Sequence, residues 1–204
     1  MHPKVKEFFA QRENLELALD LERALADVKA ELFRMYWTRV FETLNSLATG
    51  EPEVASHWNV VTTGDLGQEK TEIWIAYEGN LSVAGIVLAN LVTHRGNGAF
   101  FGIRVQTNSA TATASELERQ TRDKLAGQRY AFQSGYLGWK HFGDTGLPRY
   151  CRNGVQEDVL GVSVDNEAGG PNATQHAETV WGLFMTVREI LERYNQSISK
   201  PNDG

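Results

Sequence analysis

Residues 70–90, KTEIWIAYEGNLSVAGIVLAN, decide the fold. Ile73, Ile75 and Tyr77 alternate with Trp74 and Ala76, the period of two that sends successive side chains to opposite faces of a strand. Glu78-Gly79-Asn80 is a turn, and a second β-rich run follows it at once. Strands joined this closely pair antiparallel, because parallel neighbours need a crossover of a dozen or more residues. Working outward, HWNVVTT at 57–63 precedes the pair across Gly64, Asp65 and Gly67. On the other side AFFGIRVQT at 99–107 follows across RGNG, where Asn97-Gly98 supplies the positive φ angles of a tight hairpin. The expectation is an α+β fold built on an antiparallel β-meander of about four to five strands.

Helical grammar flanks this sheet. Pro3 opens a short helix through Ala10, since proline is tolerated in a first turn. Asn14 is the expected cap of a longer one. From Ala18 the residues Leu21, Leu25, Val28, Leu32 and Met35 recur three and four apart, a seam on one side of a helix, with Arg23, Asp27, Lys29 and Glu31 off it. The pattern then broadens through Tyr36, Trp37, Val40, Phe41, Leu44 and Leu47, and Gly50 and Pro52 end it. About 30 residues at 1.5 Å each give roughly 45 Å, well beyond a mean globular helix. Such a helix is either a core element with a frayed start or an arm whose seam meets another chain.

Ser115 with Glu118 reads as a capping box opening a polar surface helix to Gly127, anchored by Leu117 and Leu125. Residues 128–170 are glycine-rich and read as irregular, with DVLGVSVD at 158–165 as a strand. Asn172 and Gln175 open a closing helix in which Ala177, Val180, Phe184, Val187, Leu191 and Tyr194 form the apolar stripe; it should cover the sheet. The expected organisation is a helical arm and connector at 1–50, an α+β domain at 51–196 and a flexible tail at 197–204.

Composition narrows the function classes. The 204 residues are 41% hydrophobic, ordinary for a chain that buries a core. A net charge of -6 opposes non-specific attraction to phosphate backbones, although a local basic patch survives such a balance. The single Cys151 fits a reducing compartment, and the N-terminus lacks the apolar core of a signal peptide. No run approaches the roughly 20 apolar residues that span a bilayer. A cytoplasmic protein with no membrane partner is the expectation.

The search for chemistry mostly excludes. GDLGQEKT at 64–71 places Glu69 where a phosphate loop needs glycine before its lysine. His2, His57, His94, His141 and His176 are scattered singly, and Cys151 has no cysteine partner, so neither a metal nor a cofactor is expected. Ser134 lacks the G-x-S-x-G elbow. A PD-(D/E)xK nuclease needs a D/E-x-K triplet on a strand, and after Asp65 the sequence supplies Glu72-Ile73-Trp74, with tryptophan at the lysine position. One cationic and aromatic stretch remains: Arg129, Tyr130, Phe132, Tyr136, Trp139, Lys140, His141, Phe142, Arg149, Tyr150 and Arg152 within 24 residues. It reads as core packing with Trp139 and Phe142 inside and Lys140 in solvent, as a protein interface, or as a stacking surface for single-stranded nucleic acid or a small ligand.

The order of YWTRVFETLNSL (36–47), HWNV (57–60), TEIWIAYEG (71–79), FFGIRV (100–105), GYLGWKHF (135–142) and a closing amphipathic helix resembles the region downstream of the nuclease core in bacterial PD-(D/E)xK superfamily proteins. The resemblance spans most of residues 30–195. It carries no catalytic residue, because the metal-binding strands of that family have no counterpart in this sequence. It implies the accessory half of a nuclease-like protein linked to defence against foreign DNA, with the long helix in the place of the connector. The expected function is therefore a non-enzymatic recognition or regulatory module for another macromolecule. Its candidate binding residues are Tyr136, Trp139, Lys140, His141, Arg149 and Arg152. Its candidate self-association residues are Leu21, Leu25, Val28 and Leu32, which would hold a protein partner or a homo-oligomer. The alternative is a nucleic-acid-binding or nuclease-related protein with a dispersed or degenerate metal site.

Overall fold

The structure, a computed structural model, describes residues 2–68, 70–89, 98–105, 112–133, 135–148 and 156–199. Three helices come first: α1 (Pro3–Phe9), α2 (Arg12–Gly50) and α3 (Pro52–Ala55). Strands β1 (Trp58–Thr62), β2 (Ile73–Tyr77), β3 (Gly85–Ala89) and β4 (Phe100–Arg104) form the meander, and α4 (Ala112–Lys124) follows. Then come β5 (Ala131–Gln133), β6 (Tyr136–His141), a single 3-10 turn at Phe142–Thr145, α5 (Gln156–Glu167) and α6 (Pro171–Ser199). The fold is α+β with a six-stranded antiparallel sheet in the order β1-β2-β3-β4-β6-β5.

The expected meander holds. Ile75 faces both Val60 and Ile86, and Val87 faces Gly102, so the alternating residues of four strands fall into common rows. One row, with Trp58, Val60, Ile73, Ile75, Ile86, Leu88, Phe101 and Ile103, meets the helices in the main core. There Phe33, Tyr36, Trp37, Val40 and Leu44 of α2 meet Ala177, Val180, Phe184, Val187 and Leu191 of α6. The opposite row, Trp74, Ala76, Val87 and Ala89, forms a second small cluster with Val61, Leu81, Phe100 and Tyr136 beside it. Both faces of β2 and β3 are buried, which is why those strands are apolar throughout.

Several expectations need correction. DVLGVSVD is helical within α5: Val159 and buried Val162, Asp165 and Asn166 fall on one helical face, and Asn166 Nδ2 donates to the Leu32 carbonyl of α2 at 3.0 Å. Tertiary contacts of that face outweigh the β preference of its valines. Two stretches read as irregular, 131–133 and 136–141, are the antiparallel strands β5 and β6, with Gly135 at φ 82 just ahead of β6. A bulge between the pairs Gly102–Trp139 and Arg104–Tyr136 breaks its period of two, and Gly138 takes φ 105 there. α2 is 39 residues long and begins before Asn14, whose Nδ2 instead donates to the Phe8 carbonyl at 2.9 Å and ties α1 to α2. Ser115 lies inside α4 and does not cap it. The tail expected from Ser197 is helical through Ser199. Asn97 of the proposed hairpin turn lies outside the described residues.

The start of α6 has a cap that the sequence reading missed. The buried carboxylate of Asp165 accepts from the backbone N–H of Asn172 at 2.8 Å and of Ala173 at 3.3 Å, two of the donors a helix N-terminus leaves unpaired. Asp165→Ala is expected to cost about 1–3 kcal/mol in urea unfolding. Asp165→Asn, which keeps one acceptor, should cost less; a loss below about 0.5 kcal/mol for Asp165→Ala would show that the cap contributes nothing.

Candidate functional site

The N-terminal half of α2 stands free of the core. Burial begins at Phe33; ahead of it Leu17 (67% exposed), Leu21 (58%), Leu25 (49%) and Val28 (55%) lie open. The free part, about 20 residues, measures roughly 30 Å. α1 folds back on it through a two-residue link, and Phe8 and Phe9 pack edge to face with ring centroids 5.2 Å apart. Between them lies an open groove of about 590 Å³ lined by Phe8, Phe9, Leu17, Ala18, Leu21, Leu25 and Ala26, together with the polar side chains of Asn14, Glu22 and Lys29. The far side of the arm carries the charges Arg12, Glu13, Glu16, Asp20, Arg23 and Asp27, of which Arg12–Glu16 at 2.7 Å and Arg23–Asp20 at 3.5 Å are paired within the helix. Of the candidate self-association residues, Leu21 and Leu25 line this groove and Val28 is exposed outside it. Leu32 packs against the main core.

The cationic and aromatic stretch divides between the two faces of the sheet. Cross-strand partners share a face, so Tyr136, Trp139 and His141 lie with Arg104, Gly102 and Phe100 on the side away from the main core. Phe100 meets Tyr136, Trp139 and His141 edge to face with centroids 5.4, 5.7 and 6.1 Å apart. All four rings are half-buried. Lys140, opposite Phe101, points to the helix side, where its Nζ sits 4.2 Å from the Tyr130 ring centroid and burial lowers its pKa. Phe142 is fully buried in the main core. Arg149 and Arg152 lie outside the described residues.

The sequence reading missed the partners this face brings in. Arg104 lies 5.4 Å from the Trp74 ring centroid and 5.8 Å from that of Tyr136. Its Nη1 donates to both oxygens of Glu72 at 2.9 and 3.0 Å, and Trp74 Nε1 donates to Glu72 Oε2 at 2.9 Å. The guanidinium is thus already neutralised by a carboxylate. Phe8, Phe9 and Leu17 were likewise missed at the groove, because their closeness to Leu21 and Leu25 depends on the fold-back of α1. Among the described residues, no three His, Cys, Asp or Glu side chains converge as a metal site would require, and no helix is long and apolar enough to cross a membrane.

No family model, no curated protein and no solved structure matches this chain.

Proposed function

We propose that the protein is a non-catalytic recognition or regulatory module that binds another macromolecule through the arm formed by α1 and the N-terminal half of α2. The observation that carries this reading is the exposed apolar groove. Leucines left 49–67% in water on a free helix face lose hydrophobic stabilisation that a docked surface would recover, at about 25 cal/mol per Å² covered. The face opposite the groove carries the charges of the arm, among them the pairs Arg12–Glu16 and Arg23–Asp20, so the groove side is the docking side, with exposed Leu15 and Leu19 outside the groove. The resemblance of residues 30–195 to the region downstream of a nuclease core supports an accessory role in defence against foreign DNA.

A second reading, single-stranded nucleic acid on the outer sheet face, has one observation in its favour: Phe100, Tyr136 and Trp139 lie together on adjoining strands as a base-stacking surface would. Against it, Arg104 is engaged by Glu72 and Lys140 faces the other way. One assay separates the readings. The full chain is incubated with single- and double-stranded DNA and RNA, with and without magnesium or manganese, and retention and cleavage are scored separately. The arm reading expects no cleavage and no retention that depends on the sheet face. Salt-sensitive retention lost in Tyr136→Ala/Trp139→Ala but kept in Lys140→Ala would move the function to the sheet. Metal-dependent cleavage abolished by a chelator would end the non-enzymatic reading.

A further inference from the structure

We infer that the occupant of the arm groove is the arm of a second copy of this chain, running antiparallel, with each Glu22 against the partner's Lys29. The inference rests on the reading of the groove as a docking surface and names what docks there.

Glu22 and Lys29 are the two charged residues lining the groove. They stand seven residues apart, two helical turns, and therefore on the same flank of the apolar floor made by Ala18, Leu21 and Leu25. Neither forms an ion pair with another described residue; on the outward side of the arm Arg12, Glu16, Asp20 and Arg23 are paired within the helix, and Glu13 and Asp27 point away from the groove. A two-fold antiparallel pairing brings same-flank positions of two helices together. Centred between Leu25 and Ala26, it sets Glu22 beside the partner's Lys29 and Lys29 beside the partner's Glu22. One symmetric contact then makes two ion pairs and no like-charge contact. A parallel pairing would bring the opposite flank, Leu17 and Ala24, against these charges and leave both unpaired. The charge pattern thus selects a self-complementary, antiparallel partner. Ala18 and Ala26 at the groove let two helix axes approach closely.

Sedimentation equilibrium on the full chain, with circular dichroism as a check of folding, tests the assignment. Wild type is expected to sediment at twice the chain mass. Glu22→Lys or Lys29→Glu alone replaces two attractive contacts with two repulsive ones and should weaken association about tenfold. The double variant E22K/K29E should recover it, and an equimolar mixture of the two single variants should form a mixed dimer. A dimer indifferent to these exchanges overturns the assignment, as does a wild type that stays monomeric at about 100 µM. In the monomeric case an apolar fluorescent dye decides the underlying reading. Dye bound by wild type and lost in Leu21→Ser/Leu25→Ser leaves the groove a docking surface for a different protein. No dye binding removes that reading too.

Discussion

Asn195→Ala is expected to destabilise the protein by about 2–5 kcal/mol, although Asn195 is a single polar residue near the end of the last helix. Its side chain is fully buried and makes a two-way clamp: Nδ2 donates to the Ala84 carbonyl at 2.9 Å, and Oδ1 accepts from the Ala84 N–H at 3.0 Å. Ala84 is itself buried just ahead of β3, outside the paired register of that strand. Alanine at 195 would strand one backbone donor and one acceptor away from water, at about 1–3 kcal/mol each. In a chain of this length that corresponds to a fall of roughly 5–15 °C in Tm. Asn195→Asp should be worse near neutral pH, since it replaces the donor with an oxygen facing the Ala84 carbonyl. Part of that loss should return in acid, when the carboxyl becomes a donor again. A change under about 1 kcal/mol for Asn195→Ala would show that water takes over the clamp.

The legible parts of this fold are those where one residue's neighbours lie close in sequence. Ile73, Ile75 and Tyr77 alternate because the strand alternates, and the short turn at Glu78 forces the antiparallel partner; the sheet followed from local pattern. The seam at Leu21 and Leu25 was equally legible. Failures came where distant contacts decided the outcome. Val159 and Val162 are helical because Asn166, one turn further, reaches the Leu32 carbonyl of a helix some 130 residues away in the chain. Trp139 and Lys140 stand in one candidate binding set, but adjacent strand residues face opposite ways. The bulge at β6 keeps Tyr136 and Trp139 on one face despite their odd spacing. The groove needed α1 to fold back, and its bond from Asn14 to the Phe8 carbonyl carries no pattern that periodicity detects.

Acid should destabilise the protein through His176 well above the range where ordinary carboxylates titrate. The imidazole is fully buried among Tyr36, Trp37 and Phe142, its ring centroid 4.2 Å from that of Phe142. Its Nε2 lies 3.0 Å from the Pro148 carbonyl, which accepts only, so Nε2 carries the proton; Nδ1 of the neutral ring then accepts from the Tyr36 hydroxyl. Burial lowers the pKa to about 4, partly opposed by the Pro148 and Asn172 carbonyls. An unfolded histidine titrates near 6.5. The folded value is the lower one, so the unfolded chain takes up the proton first. The histidine's contribution to stability is complete above pH 6.5, falls by about 1.4 kcal/mol per pH unit between 6.5 and 4, and levels off below 4 at a total loss of about 3 kcal/mol. Urea unfolding of wild type and His176→Gln at pH 7.5, 6.5, 5.8 and 5.2 isolates this effect, because most carboxylates stay ionised across those values in both proteins. His176→Gln should be less stable than wild type at pH 7.5 and should close part of the gap as pH falls. Parallel profiles over that window would mean that the imidazole takes up its proton as readily in the folded protein as in the unfolded chain, and would overturn the lowered value.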